Sequence, residues 1–290
     1  MVCPARRRAW RFNGRHVGRA VDLFALERRS LASVIREAAP DIVHAHWTYE
    51  FALAAIDTGL PHLITCHDLP EVVFRFTRSP YRALRWLMAK EVFGRGRAFT
   101  TVSTYMAEAL TSRLGHAPRV VPNPVASQAL ARGRTRCLPQ TRRVAMVCNG
   151  WDRLKNPKAA LLAFASWRRC QPGAEFHLFG HDFGPGQSAQ LWASASGLSE
   201  AVVFHGHCAH GLLIEQLDQA DVLVHPALHE SFGVVLAEAM ALGIPVVAGH
   251  MSGGVSFVVG GSSSDRHGAG LLTDVRSPNA ISDSLSKLFE

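Results

Sequence analysis

The sequence contains no Cys-x-x-Cys pair; its six cysteines, Cys3, Cys66, Cys137, Cys148, Cys170 and Cys208, are scattered singly. That spacing argues against both a disulfide framework and a thiolate zinc site, and points to reduced thiols. No apolar run reaches the roughly 18 residues that a membrane-spanning helix needs. The arginines of the N-terminus, Arg6, Arg7, Arg8, Arg11, Arg15 and Arg19, are followed by no apolar core, so no secretory signal is expected and a cytoplasmic chain is. No Gly-x-Gly-x-x-Gly turn follows a candidate strand, which argues against a dinucleotide-dependent oxidoreductase. No Asp-x-Asp stands at a strand end, so no metal is demanded, and no cofactor is expected. Acidic residues are the minority, 23 against 31 basic ones, and the net charge of +8 favours anionic partners such as nucleotide sugars or anionic lipid surfaces. A nucleic-acid partner is not expected, because no basic motif with interleaved aromatics is present.

What is present is a 290-residue chain, long enough for two domains that each bury a core, with 48% hydrophobic residues, 24 Gly and 15 Pro. Short β-branched runs alternate with helical patterns, the signature of parallel sheets covered by helices on both faces. In the first half Asp41 to Ala45, His62 to Cys66, Ala98 to Val102 and Arg119 to Val121 read as strands. Helices are expected near Phe51 to Thr58, Tyr81 to Phe93 and Thr104 to Leu114. In the second half strands are expected at Val144 to Cys148, Glu175 to Phe179, Val202 to His205, Val222 to His225, Pro245 to Ala248 and Ala269 to Leu272. Between the halves, Pro122 and Pro124 precede a polar, arginine-rich stretch to Arg143 that is expected to be irregular. The boundary is placed there, dividing residues 1–124 from 125–290. Ligands of such α/β domains are expected at the carboxyl ends of the strands.

One stretch is rich in chemistry: His229-Glu230-Ser231-Phe232-Gly233-Val234-Val235-Leu236-Ala237-Glu238, continuing through Gly243 to Pro245. Two acids bracket a loop, a helix start and an apolar helix. Gly233 lets backbone N–H groups approach a diphosphate, the helix N-terminus adds partial positive charge, and the carboxylates can accept hydrogen bonds from sugar hydroxyls. Gly253 and Gly254 permit a similar approach at a second loop and helix start. His44 and His46 flank Ala45 on a strand and therefore share a face, one expected to be buried and one near a rim. His205-Gly206-His207-Cys208-Ala209-His210 contains good metal ligands, but reads as strand end, loop and helix start rather than a metal site.

With these pieces in hand, the chain resembles the retaining glycosyltransferases of the group 1 superfamily, family four. Asp41 through Trp47 and Thr65 through Pro70 look like strand ends of an acceptor-side domain. Val120 through Val125 resembles the hinge, and Glu230 through Glu238 the paired-glutamate motif. The resemblance implies an α/β fold of two facing Rossmann-like domains, called GT-B. It implies a hexosyltransferase that moves a sugar from a nucleoside diphosphate sugar, of UDP or GDP type, to a saccharide or lipid-linked acceptor, as in polysaccharide biosynthesis.

In that resemblance Glu230 is similar to the acid that contacts the transferred hexose, and Glu238 to the acid on the ribose hydroxyls. Ser231, Phe232 and Gly233 lie in the same donor motif, and Gly253 and Gly254 resemble a loop near the donor phosphates. Asn149 through Asn156 resembles the loop after the first donor-domain strand, with Gly150 at its turn and Arg153 and Lys155 holding the diphosphate. Many relatives carry that arginine directly after the glycine, where this chain has Trp151. His67 matches a family histidine at the end of an acceptor-domain strand and is expected to position the substrate. Nothing before Asp41 resembles the opening strand and glycine-rich loop of relatives, so the first domain is expected to be incomplete. The alternative is a catalytically inactive module that binds a nucleotide sugar or a partner protein. A basic N-terminal segment would also suit peripheral contact at the inner face of a membrane.

Overall fold

A computed structural model describes residues 22–136, 141–260 and 269–290, and the N-terminal arginine cluster, Cys3 and Cys137 lie outside them. The chain divides into two compact units, Met1–Pro122 and Asn123–Glu290.

The described part of the first unit opens with helix α1 (Ala25–Ala38), followed by β1 (Val43–His46), α2 (Glu50–Asp57), β2 (His62–Cys66), α3 (Pro70–Thr77), α4 (Pro80–Arg95), β3 (Phe99–Thr101), α5 (Thr104–Leu114) and β4 (Arg119–Val120). The four strands form one parallel sheet in chain order, β1-β2-β3-β4. Ala52 and Leu53 of α2, Ile64 of β2, Met88 and Val92 of α4 and Met106 of α5 are all buried in the apolar core of this unit. Asp57, at the end of α2, accepts hydrogen bonds from Arg28 of α1 at 2.8 Å and Arg95 of α4 at 2.7 Å. Those two ties join the carboxyl ends of α2 and α4 to the amino end of α1, where a carboxylate and two guanidiniums offset one another.

Two elements here were not expected from the sequence. Helix α1 lies in a stretch without a motif, and α3 begins at Pro70, which the family resemblance placed in a strand-end segment. Proline suits the first turn of a helix because its missing N–H would have no partner there. The expectation that one of His44 and His46 would be buried is corrected. They do share a face, with ring centroids 4.4 Å apart, but both are exposed within the unit. The reason is that β1 is an edge strand, with only β2 beside it in the described sheet.

The second unit contains α6 (Ser127–Gly133), β5 (Arg143–Val147), α7 (Pro157–Arg168), β6 (Glu175–Phe179), α8 (Ser188–Ala195), β7 (Val202–Gly206), α9 (His210–Leu217), β8 (Val222–His225), α10 (Val234–Ala241), β9 (Val246–Gly249), α11 (Val255–Val259), β10 (Gly270–Thr273) and α12 (Pro278–Phe289). Helix α6 overturns the expectation of an irregular stretch after the prolines. Pro122 and Pro124 constrain only the residues beside them, and Ala129 is free to bury itself against α10.

All six strands are parallel, in the order β10-β9-β8-β5-β6-β7. The side-chain period of two sends alternate residues to opposite faces. Val144 and Met146 of β5, Val222 and Val224 of β8, and Val247 of β9 meet α7, α8 and α12 on one face. Ala145, Leu223, Val246 and Ala248 meet α6, α9, α10 and α11 on the other. Both faces are covered, which is why these strands read as continuous apolar runs. The chain starts at the middle of the sheet with β5, winds outward through β6 and β7, then returns to place β8 on the other side of β5. This reversal leaves a crevice at the carboxyl ends of β5 and β8, the place where open α/β sheets bind ligands.

Candidate functional site

Both segments singled out in the sequence emerge at that reversal. The loop after β5 carries Gly150 to Asn156, and the loop after β8 carries Pro226 to Gly233. Gly150 has φ +106 and donates its N–H to the His181 carbonyl, while the Asn149 side chain accepts from the His181 N–H at 3.0 Å. The approach is closest at Gly180, where a Cβ would lie 1.9 Å from the Cys148 carbonyl oxygen, so only glycine fits. The β5 and β6 loops are thereby locked together.

Lys155 is aimed by its own loop. Asp152 accepts the Lys155 N–H at 2.9 Å, a local side-chain cap on the turn ahead of α7. Asn156, at φ +52, sends its side-chain amide to the carbonyls of Pro226 and Val275 at 3.2 and 2.8 Å, and Leu228 N–H bonds to the Leu154 carbonyl. These bonds tie the β5 loop to the β8 loop and bring Lys155 Nζ within 2.5 Å of Glu230 Oε1. Glu230 also pairs through its backbone with the loop after β9: its N–H bonds to the Ser252 carbonyl, and its carbonyl accepts from Gly254 N–H, forming a bridge with Gly253. Ser252 Oγ donates to the Ala227 carbonyl at 2.6 Å, closing the same junction from the side-chain direction.

The electrostatics follow from burial and charge. Burial alone would raise the Glu230 carboxyl, but His225, whose Nε2 lies 3.4 Å away, and the Lys155 ammonium hold it down to about 2. At 3.4 Å the His225 contact is a weak one. Burial would likewise lower Lys155, and Glu230 overrides it, so the ammonium is held above its ordinary value. Cys148 is pushed up to about 12 by burial, which Lys155 only partly offsets, so it is a protonated and unreactive thiol at neutral pH. His229 is lowered by burial, partly opposed by Glu230.

Glu238 lies inside α10, 5% exposed, and not on a solvent face. Its Oε1 is 2.7 Å from Nε2 of His210, the first residue of α9. Gly233 precedes α10 at φ +85, and Ser231 and Phe232 bridge it to Glu230 along the loop. Phe232 is 7% exposed with its ring centroid 6.2 Å from that of Phe257, so its side chain is a packing wedge under the loop. Arg153 parts from the other cation. It is exposed and lines a cavity of about 340 Å³ with Trp151, Asp152, Asn156, Pro157 and Lys158, a wall that includes neither Lys155 nor Glu230. His67 belongs to the first unit, at the end of β2. Its Nε2 is 2.8 Å from His46 Nδ1, and Trp47, at φ +71, lies with its ring centroid 5.2 Å away. Burial, then His46 and His44, lower its pKa.

The structure thus gathers Lys155, Glu230, Gly253 and Gly254 at one junction and sets Glu238 on the adjoining helix. Residues that sequence reasoning did not connect to this junction are Asp152, Asn156, His225, His210 and Ser252. The contacts of Asp152 and His225 are local, three and five residues from Lys155 and Glu230, whereas those of Asn156, His210 and Ser252 cross between segments distant in the chain, and nothing in their spacing signals them. No group of three or more metal-ligating side chains fit for a metal exists among the described residues, and none of the described helices is long and apolar enough to cross a membrane.

Residues 137–290 match the family described as glycosyl transferases group 1, and residues 3–128 match the glycosyltransferase family 4 description. The chain belongs to the group 1 glycosyltransferases. Among curated relatives, a D-inositol 3-phosphate glycosyltransferase of Corynebacterium jeikeium is 35% identical over 143 residues, 47% of this chain and 33% of the relative. The protein of the same description from Acidothermus cellulolyticus is 26% identical over 273 residues, 86% of this chain and 60% of the relative. The chain therefore spans between a third and three fifths of the length of these two relatives. Sucrose-phosphate synthase from Thermosynechococcus elongatus superposes with a TM-score of 0.68 at 21% identity, over 94% of this chain and 71% of that one. Anabaena HepE in complex with UDP and glucose superposes with a TM-score of 0.65 at 18% identity, over 90% and 72%. These structural likenesses carry the fold, two parallel-sheet α/β domains of the GT-B kind.

Proposed function

We propose that this group 1 glycosyltransferase is a retaining hexosyltransferase that uses a nucleoside diphosphate sugar, of UDP or GDP type, and passes the hexose to a saccharide or lipid-linked hydroxyl. The observation that carries this reading is the Lys155–Glu230 pair at the reversal of the six-stranded sheet, flanked by the glycine loops at 233 and 253–254. In this reading the diphosphate draws Lys155 from the carboxylate, and the ammonium neutralises charge growing on the departing nucleotide. Preorganised charge of this kind often supplies the largest share of catalysis. Glu230, held ionised, accepts hydrogen bonds from hexose hydroxyls, while Glu238 accepts from the ribose. Arg153 serves the diphosphate only if its loop moves, and His67 positions the substrate from the first unit. The HepE structures in complex with UDP and with UDP-glucose support the donor class for this fold. A site on the cytoplasmic side, with peripheral contact at the inner membrane face, suits a lipid-linked acceptor.

The test is calorimetric titration of the purified chain with UDP and with GDP, in parallel with Glu238→Ala. One nucleotide is expected to bind, and the variant to weaken it by about 1.5–3 kcal/mol, the worth of a hydrogen bond to a charged group. A folded chain that binds neither nucleotide overturns the donor-site reading. Binding without release of nucleoside diphosphate across an acceptor panel would leave an inactive nucleotide-sugar-binding module instead.

A further inference from the structure

Glu238 is the fifth residue of α10, and its side chain is 7% exposed. A carboxylate so placed needs a partner, and the backbone N–H groups beyond the first turn of a helix are already committed to the helix. Its described partner is Nε2 of His210, at 2.7 Å. Helices α9 and α10 meet in one apolar cluster, through Ile214 and Leu217 on one side and Leu236 and Ala239 on the other. The cluster fixes their spacing, and with it the position of the imidazole over Oε1. The His210 side chain is itself 56% exposed, so the contact does not serve to fill the core.

We infer that His210 is the positioning residue for Glu238: its Nε2–H donates to Oε1, sets the rotamer of the carboxylate, and leaves Oε2 to accept from the ribose hydroxyls of a nucleoside diphosphate. This inference rests on the donor-site reading above and adds to it the group that orients the ribose acid. The two carboxylate oxygens have separate tasks, one held by the protein and one offered to the ligand. Without the imidazole the carboxylate is released to other rotamers, and only ligands that carry ribose hydroxyls feel the change.

The experiment compares UDP with 2′,3′-dideoxy-UDP, and GDP with its dideoxy form, by calorimetry on the full chain and on His210→Ala and His210→Gln. Wild type is expected to prefer the ribose form. His210→Ala should weaken that form by about tenfold, the scale of one charge-assisted hydrogen bond, and leave the dideoxy form unchanged. The Gln variant, whose amide N–H can also donate, should keep most of the preference. Thermal melting of each variant confirms that it is folded. The inference is overturned if His210→Ala binds the ribose form as wild type does, if it weakens both forms equally, or if wild type does not distinguish them. Failure of wild type to bind any of the four ligands is a different result: it overturns the donor-site reading, and this inference with it.

Discussion

The Nζ of Lys155 and the Oε1 of Glu230 lie 2.5 Å apart although 75 residues separate them in the chain. The loop after β5 supplies the cation and the loop after β8 the anion, and those two strands are neighbours only because the chain reverses its winding at β5. Each side chain is partly sheltered, at 25% and 18% exposure, so the pair is neither a screened surface contact nor a fully desolvated one.

Removing one partner should therefore cost more than removing both. Lys155→Met leaves an anion sheltered beside His225 and is expected to lower stability by about 2 kcal/mol, the scale for a lost hydrogen bond to a charged group. Adding Glu230→Gln to that variant should restore part of the loss, because the two effects are coupled. Urea denaturation of the single and double variants checks this. Nucleotide binding, followed in the same set, should fall in every variant that lacks Lys155.

Acid should weaken the second unit through Glu230. Its folded pKa, about 2, is depressed from an ordinary value of 4.5. A depressed carboxyl stabilises the fold above its unfolded pKa, and that contribution is lost as pH falls from about 4.5 through about 2. Urea midpoints measured across this range should fall more steeply for wild type than for Glu230→Gln. Equal slopes would show that the carboxylate has no such linkage.

Gly233 is at φ +85, and a Cβ there would come within 2.9 Å of Leu236 Cδ1. Gly233→Ala should cost about 1–2 kcal/mol from the left-handed backbone alone. It should also weaken nucleotide binding, since the loop between Glu230 and α10 would have to shift. Denaturation and calorimetry on the one variant separate the two effects, and unchanged nucleotide affinity would remove this loop from the donor site.

In the first unit, His67 is kept below its ordinary pKa of 6.5 by burial, with His46 and His44 adding to the effect. It should be neutral at pH 7, able to donate or accept a hydrogen bond without carrying charge. NMR titration of its ring protons should give a midpoint below 6.5. His46→Ala should raise that midpoint by removing a neighbouring positive charge, while burial keeps it from returning fully to the ordinary value.

The reach of sequence reasoning is plain in particular segments. His62 to Cys66, Glu175 to Phe179 and Val222 to His225 were legible as strands to the residue, because buried parallel strands demand short β-branched and aromatic runs. Thr104 to Leu114 was legible as a helix because Ser103 caps it by accepting from the Met106 N–H and Gly115 closes it at φ +75. Helix α6 was not legible, since its existence depends on burying Ala129 against a helix that lies a hundred residues further on. Nor was the exposure of His44 and His46, which depends on β1 having a neighbour on one side only.

The sequence by itself determined the class of the fold, the strands of both sheets and helices α2, α4 and α5, and the family to which the motifs point, because periodicity, caps and glycines act over a few residues. The tertiary structure alone decided which of the candidate groups meet. It joined Lys155 to Glu230 and His210 to Glu238, and placed Arg153 against a separate cavity. Those outcomes depend on strand order and on helices sharing a core, and strand order is set by the packing of the whole sheet rather than by any local pattern of residues.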